Sequence, residues 1–179
     1  MRRIWKSRRK PWQRSLSFAC GCGDWKRTRS RLVDRPAHIP RPPHAYLPGV
    51  NARHPEDWFE EIKTSVGPQT PLETLHLTLA WQAGLDYFDA GYFWECHEVL
   101  EAVWLQTPEW SAERDMAQAL IQLANARIKI RMQRPNAARR LCDMVLAHLA
   151  RCPMGLPVLG LERPKMERLV QETLIQIDQ

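Results

Sequence analysis

Apolar residues recur at three- and four-residue intervals through most of the chain after residue 70, a spacing that predicts amphipathic helices. The predicted helices cover 72–89, 92–105, 112–132, 136–150 and a last segment from about 164 onwards. Gly91, Pro108 and Pro135 stand at the joints between them. No strand pattern and no internal repeat competes, so the sequence predicts an all-α fold, an antiparallel bundle of about five helices. The helix over 112–132 is apolar around most of its circumference, and we expect it at the centre.

The first of these helices has a recognisable start. Thr70 is followed by Pro71 and, three residues on, by Glu73. A threonine cap, a proline in the first turn and a glutamate at the third position form a capping box. The sequence therefore predicts a bundle domain over residues 70–179.

Six prolines fall within residues 35–55, before the bundle. Proline fixes φ and lacks a backbone donor, so this stretch is expected to be extended. A short helix is predicted within 57–66, with Trp58, Phe59 and Ile62 facing inward. Residues 35–69 are thus predicted to be a Pro-rich lead-in.

The charge of the chain is concentrated at its N-terminus. The net charge is +6, but residues 1–31 hold eleven Lys and Arg and one acid, so the rest carries a net −4. Residues 1–34 are interpreted as a disordered basic tail or as the product of a start site placed too early, with Val33 as an alternative start; a targeting segment is a third reading. Nucleic-acid binding by the folded domain is not expected, since its charge is slightly negative.

No apolar run approaches the length of a membrane span, and no secretory leader is visible, so we expect a soluble cytoplasmic protein. The five cysteines fit that compartment. Cys96 and Cys142 are expected to be buried as small apolar side chains. The Cys20-Gly21-Cys22 pair lacks a second Cys or His cluster, and a metal role for it is not favoured.

The second predicted helix carries the strongest candidate chemistry. At 100° per residue, His97 lies at the edge of its core face, Glu101 lies one turn further on, and Glu98 lies further round. These three residues are the catalytic candidates, in a groove bounded by apolar side chains such as Trp94. The groove is expected to be completed by His54 or by amides of the third helix.

Three interpretations of this groove stay open. His97 and Glu101 could hold one divalent metal ion, the zinc-protease spacing with its second His replaced by Glu. His97 could act as a general acid or base with a carboxylate partner. The third interpretation is a structural His–Glu hydrogen bond, and no cofactor is firmly implied. Further binding candidates lie on the third helix: Gln118, Gln122, Asn125 and Arg127.

Arg127 lies inside the apolar arc of the third helix, and a buried charge needs a partner. We expect that partner to be Glu101, Glu98 or Asp86. A separate polar stripe on this helix is either its solvent edge or a pocket wall facing the second helix; it consists of Gln118, Gln122, Asn125 and Lys129.

The run FDAGYFWECHEVLE over 88–101, followed by Trp104, resembles the signature of the bacterial and archaeal family catalogued as domain of unknown function 309. The run QALIQLA over 118–124 is similar to a second block of that family. Asp89 stands where Asn is common and Ala119 where Gly is common. The resemblance implies a small all-helical fold and no particular activity.

Two functions follow as expectations, and whether the protein is an enzyme stays open. The first is a non-catalytic scaffold or homodimerisation module, with Trp81 and Trp110 exposed on the partner surface. The alternative is a small-ligand-binding protein or metal-assisted hydrolase that uses the His97/Glu98/Glu101 groove.

Overall fold

The computed structural model describes residues 39–178, so the basic tail predicted over 1–34 lies outside the described residues. Within this range the chain forms six α-helices and one 3₁₀ helix, and no strand. The α-helices are α1 (Glu60–Lys63), α2 (Leu79–Ala90), α3 (Phe93–Leu105), α4 (Ala112–Arg131), α5 (Pro135–Leu149) and α6 (Arg163–Ile177). The all-α prediction is confirmed. None of the described helices has both the length and the apolar character that crossing a membrane requires.

The first predicted helix is divided in two. Residues Leu72–Leu77 form a 3₁₀ helix, and α2 starts only at Leu79. The Thr78 hydroxyl donates to the Leu75 carbonyl (2.7 Å) and accepts from the Trp81 N–H (3.3 Å), so it closes one helix and caps the next. The predicted capping box at Thr70 is therefore wrong, and the Thr70 hydroxyl accepts instead from the Gly67 N–H.

The other helix boundaries agree with the prediction to within one or two residues. Ser111 caps α4 by accepting from the Arg114 N–H (3.1 Å). Gly91 ends α2 in the left-handed conformation (φ 84°), where a glycine avoids the clash that a Cβ atom would cause.

Helix α4 lies at the centre of the bundle, against α3, α5 and α6. Its apolar face, including Met116, Leu120 and Leu123, is fully buried. Helices α2 and α3 approach so closely at Gly84 that a Cβ atom there would lie 2.3 Å from Leu100 Cδ2. Cys96, Cys142 and also Cys152 are free and buried, as expected of small apolar side chains.

Residues 39–59, here called the strap, run across α2 and α3 without forming a helix or strand. The Arg41 guanidinium pairs with Asp86 (3.1 Å), and the Tyr87 hydroxyl donates to the Pro40 carbonyl (2.7 Å). With strap and α1 on one side and α3 on the other, α2 is covered on two faces. Trp81 of α2 is only 1% exposed, and its predicted place on a surface is wrong.

Candidate functional site

The three catalytic candidates of α3 differ in burial and in their partners. His97 is half-buried, and its Nδ1 lies 3.0 Å from Asn125 Oδ1 of α4. Glu98 is half-buried with Arg53 Nη2 3.9 Å away, whereas Glu101 is exposed. One predicted α4 amide therefore meets His97, and both His97 and Glu101 lie close enough to Glu98 to affect its pKa. Among residues 39–178, no three His, Cys, Asp or Glu side chains are grouped to hold a metal ion.

The pKa of Glu98, one of the three candidates, is shifted. Burial raises the pKa of the Glu98 carboxyl, and the nearby positive charges of Arg53 and His97 only partly offset the rise. The folded protein therefore holds a proton on Glu98 to higher pH than an unfolded chain does.

The sequence interpretation missed a buried pair on the neighbouring face of α3. The Tyr46 N–H donates to Glu95 Oε1 (2.6 Å), and His54 Nε2 lies 2.8 Å from the same oxygen. The side chains of His54 and Glu95 are 1% and 0% exposed. Glu95 Oε2 is also buried and has no hydrogen-bond partner within residues 39–178. His54 thus fastens the strap to α3 and does not complete the His97 groove.

Helical spacing gave one signal for this pair. Glu95 precedes Val99 by four residues and so lies on the same face of α3, and Val99 is fully buried. A glutamate in that register must be buried with a partner. Nothing in the sequence identified His54 as the partner, because it lies in the irregular strap.

Two predicted binding residues lie in structural clusters elsewhere. Trp94 packs against Tyr46 (ring centroids 4.9 Å apart), with the Arg53 guanidinium 5.0 Å from its ring. The buried Arg127 donates to the Thr173 hydroxyl (3.1 Å) and lies 3.8 Å from Glu172. One carboxylate near Arg127, that of Glu172, is therefore on α6, a helix that the prediction had not named.

A cavity of about 280 Å³ opens where the end of α3, the start of α4 and the end of α5 meet. Its walls combine two tryptophans with charged and polar groups. The lining residues are Trp104, Glu109, Trp110, Ser111, Arg114, Asp115, Gln118, His148 and Arg151. Such a mixture of aromatic walls and convergent polar groups is typical of small-molecule sites.

One wall of the cavity is a network centred on Asp115. Its Oδ1 lies 2.7 Å from His148 Nδ1, and its two oxygens accept hydrogen bonds from Arg151 at 2.5 and 2.9 Å. Burial alone would raise the pKa of Asp115, but the hydrogen bonds from Arg151 and His148 outweigh it and hold that pKa below its usual value. Asp115 is therefore a fixed, ionised side chain at neutral pH.

The opposite wall is aromatic. The Arg114 guanidinium lies 3.9 Å from the centroid of the Trp104 ring, and Nη1 donates to the carbonyls of Trp104 and Thr107. Trp110 stands at the rim with 94% of its surface exposed and a φ of 65°. A bulky residue in the left-handed region is strained, and an exposed indole contributes little burial to offset it.

Of the predicted binding residues, Gln118 lines this cavity. Asn125 reaches His97, and Gln122 lies between them on α4, within 3.5 Å of the Asn125 amide. Within the polar stripe of α4, Asn125 is the residue with a hydrogen bond to a side chain of α3. The cavity itself lies at the far end of that stripe from His97.

Residues 81–141 match a family model described as a domain of unknown function (DUF309), and the resemblance read from the sequence is thereby confirmed. The match runs from the first turn of α2 into α5, so it includes Glu95, His97 and Asp115 but neither the strap nor His148. No curated protein matches the chain, and no solved structure does.

Proposed function

We propose that this helical domain binds a small molecule in the cavity between α3, α4 and α5. The observation that carries the proposal is Trp110, an exposed indole on strained backbone at the rim of the cavity. Strain of this kind collects at functional positions, where a ligand and not the fold benefits from it. The hydrolase alternative at His97, Glu98 and Glu101 stays a prediction, with a divalent metal as its cofactor.

A fragment screen followed by the indole N–H signals of the ¹⁵N-labelled protein tests the proposal. Bound fragments should shift the signals of Trp104 and Trp110 and leave that of the buried Trp81 unchanged. Fragments that shift only the backbone amide signals of His97 and Asn125 in the same spectra, or a screen without any binder, would contradict the proposal.

Trp110→Gly is the matching variant, because glycine accepts a φ of 65° without strain. We expect it to keep or slightly raise the melting temperature while it abolishes fragment binding. Leu105→Ala is the control, since Leu105 is also exposed but does not line the cavity. A Trp110→Gly protein that binds fragments as well as the wild type would exclude this site.

The second candidate is the homodimerisation module expected from the sequence. Trp110 and Leu105, 94% and 62% exposed, favour it because both lie at the α3–α4 corner. Light scattering coupled to size exclusion would then give twice the monomer mass for the wild type and the monomer mass for Trp110→Gly. A wild-type monomer would exclude this candidate while leaving the ligand proposal intact.

A further inference from the structure

The size of the cavity limits what it can hold. Its volume of about 280 Å³ is slightly below the range of about 300–1,000 Å³ that is usual for ligand pockets. One or two fused rings with a short substituent fit this volume, and a dinucleotide does not.

The walls favour a flat ring. Trp104 is covered on one face by the Arg114 guanidinium, and Trp110 presents its ring to solvent at the rim. Indole and guanidinium planes both stack with aromatic ligands, and such contacts are stronger than those with saturated rings of equal size.

Hydrogen-bonding capacity in the cavity is unevenly divided between donors and acceptors. Both Asp115 oxygens already accept from Arg151 and His148, so this carboxylate has little capacity left for a ligand cation. Arg114 uses only Nη1 for the two carbonyls, and within residues 39–178 neither its Nε nor its Nη2 has a hydrogen-bond partner. Arg114 also forms no ion pair with a carboxylate of the described residues. The guanidinium therefore supplies charged donors without a matching acceptor.

The position of Arg114 adds to this preference. It stands in the first turn of α4, whose N-terminal end carries a positive partial charge. Glu113 and Asp115 stand in the same turn and oppose that charge, so the guanidinium and not the helix end supplies the attraction for an anion. Glu109, an exposed residue of the cavity lining, forms no ion pair within residues 39–178, and it opposes a ligand anion. Arg114 lies against the Trp104 ring, whereas Glu109 faces water, so the guanidinium is the less screened of the two charges.

We infer that the cavity binds a small aromatic carboxylic acid, with its ring against the tryptophans and its carboxylate on Arg114. This inference rests on the proposed function and specifies its ligand class.

Calorimetric titration of the whole chain with four probes tests the inference. Indole-3-acetate carries both features, indole-3-acetamide lacks the charge, tryptamine reverses it, and cyclohexanecarboxylate lacks the aromatic ring. We expect indole-3-acetate to bind at least about tenfold more tightly than each of the other three, because only it forms charge-assisted hydrogen bonds and also stacks.

Glu109→Gln sharpens the test, since it removes the opposing charge at an exposed position. Its affinity for indole-3-acetate should rise about two- to threefold, and by more than its affinity for indole-3-acetamide, because only the acetate is repelled by the Glu109 charge. Glu61→Gln, an equally exposed change on α1, should alter neither affinity.

Each other outcome overturns a stated part of the inference. Equal affinity for the acid and the amide, or tightest binding of tryptamine, excludes the carboxylate. Equal binding of cyclohexanecarboxylate excludes the aromatic requirement. If all four probes fail while the fragment screen gives other binders that Trp110→Gly loses, the ligand class is wrong and the proposed function stands. If the screen fails as well, both fall.

Discussion

The molecule contains two histidine–carboxylate pairs of nearly equal geometry, 2.8 Å between His54 and Glu95 and 2.7 Å between His148 and Asp115. The first is buried between the strap and α3, with both side chains at most 1% exposed. The second faces a cavity, with the side chains 22% and 14% exposed. The difference teaches that the residue types alone do not identify a site. A sealed pair can only hold the fold, whereas an accessible pair can also meet a ligand.

The largest effect is expected from Glu95→Ala. The substitution leaves His54 and the Tyr46 N–H buried without their shared acceptor, at a cost of about 3–5 kcal/mol. Urea unfolding followed by circular dichroism measures the loss, with Glu109→Ala as the exposed control. A loss similar to that of the control would mean that the strap does not depend on this pair, and the comparison would fail.

Asp115→Asn should cost less, about 1 kcal/mol at pH 7, because its partner Arg151 is half-exposed. The lowered pKa of Asp115 fixes the sign of the pH dependence. The stabilisation by the carboxylate is complete above the pKa of the unfolded chain and is lost as the pH falls through the folded-state pKa. Unfolding curves at pH 7, 5 and 3 should show wild type and variant converging at the lowest pH. A difference that grows on acidification would reverse the assignment.

His148→Ala is expected to change stability by less than about 1 kcal/mol, because Asp115 keeps its two hydrogen bonds from Arg151. Fragment affinity should nevertheless fall, since His148 lines the cavity. Denaturation and titration of the same preparation separate the two effects. If His148→Ala were as unstable as Glu95→Ala, the His148–Asp115 pair would also be structural, and the contrast between the two pairs would be lost.

The smallest effect is expected at Glu98, on the polar edge between the two pairs. Because burial raises the pKa of this carboxyl, the ionised form is disfavoured in the folded protein. Glu98→Gln should therefore stabilise by about 0.5 kcal/mol at pH 7. The gain should shrink as the pH falls and the wild-type carboxyl takes up its proton. Melting temperatures at pH 7 and pH 4 measure this, and a destabilised variant would show that the Arg53 contact outweighs the burial.

The helices of the bundle could be predicted because each has a periodic apolar face and a terminal signal, such as Gly91 or Ser111. The burial of Trp81 could not, since the chain that packs around α2 includes irregular segments without a periodic pattern. Thr70 and Thr78 were both able to cap, and only the tertiary contacts of the 3₁₀ segment decide between them.

The cavity was within reach of the sequence in part. Helices α4 and α5 form a hairpin about a short turn, so the start of one must lie near the end of the other. This antiparallel arrangement places Asp115 beside His148 and Arg151. The sequence predicted the candidate chemistry on α3 instead, where His97 meets an amide and Glu101 faces water.

The strap has a consequence for synthesis on the ribosome. Its partners come much later in the chain, 41 residues on from His54 and 49 residues on from Tyr46. At a translation rate of about 5–20 residues per second, the strap is synthesised roughly 2–10 s before the residues of α3 that it contacts. During this interval its aromatic side chains have no native surface to cover. Chaperone contact at this stage of synthesis should therefore concentrate on the strap, and the protein should complete its fold only after α3 has left the exit tunnel.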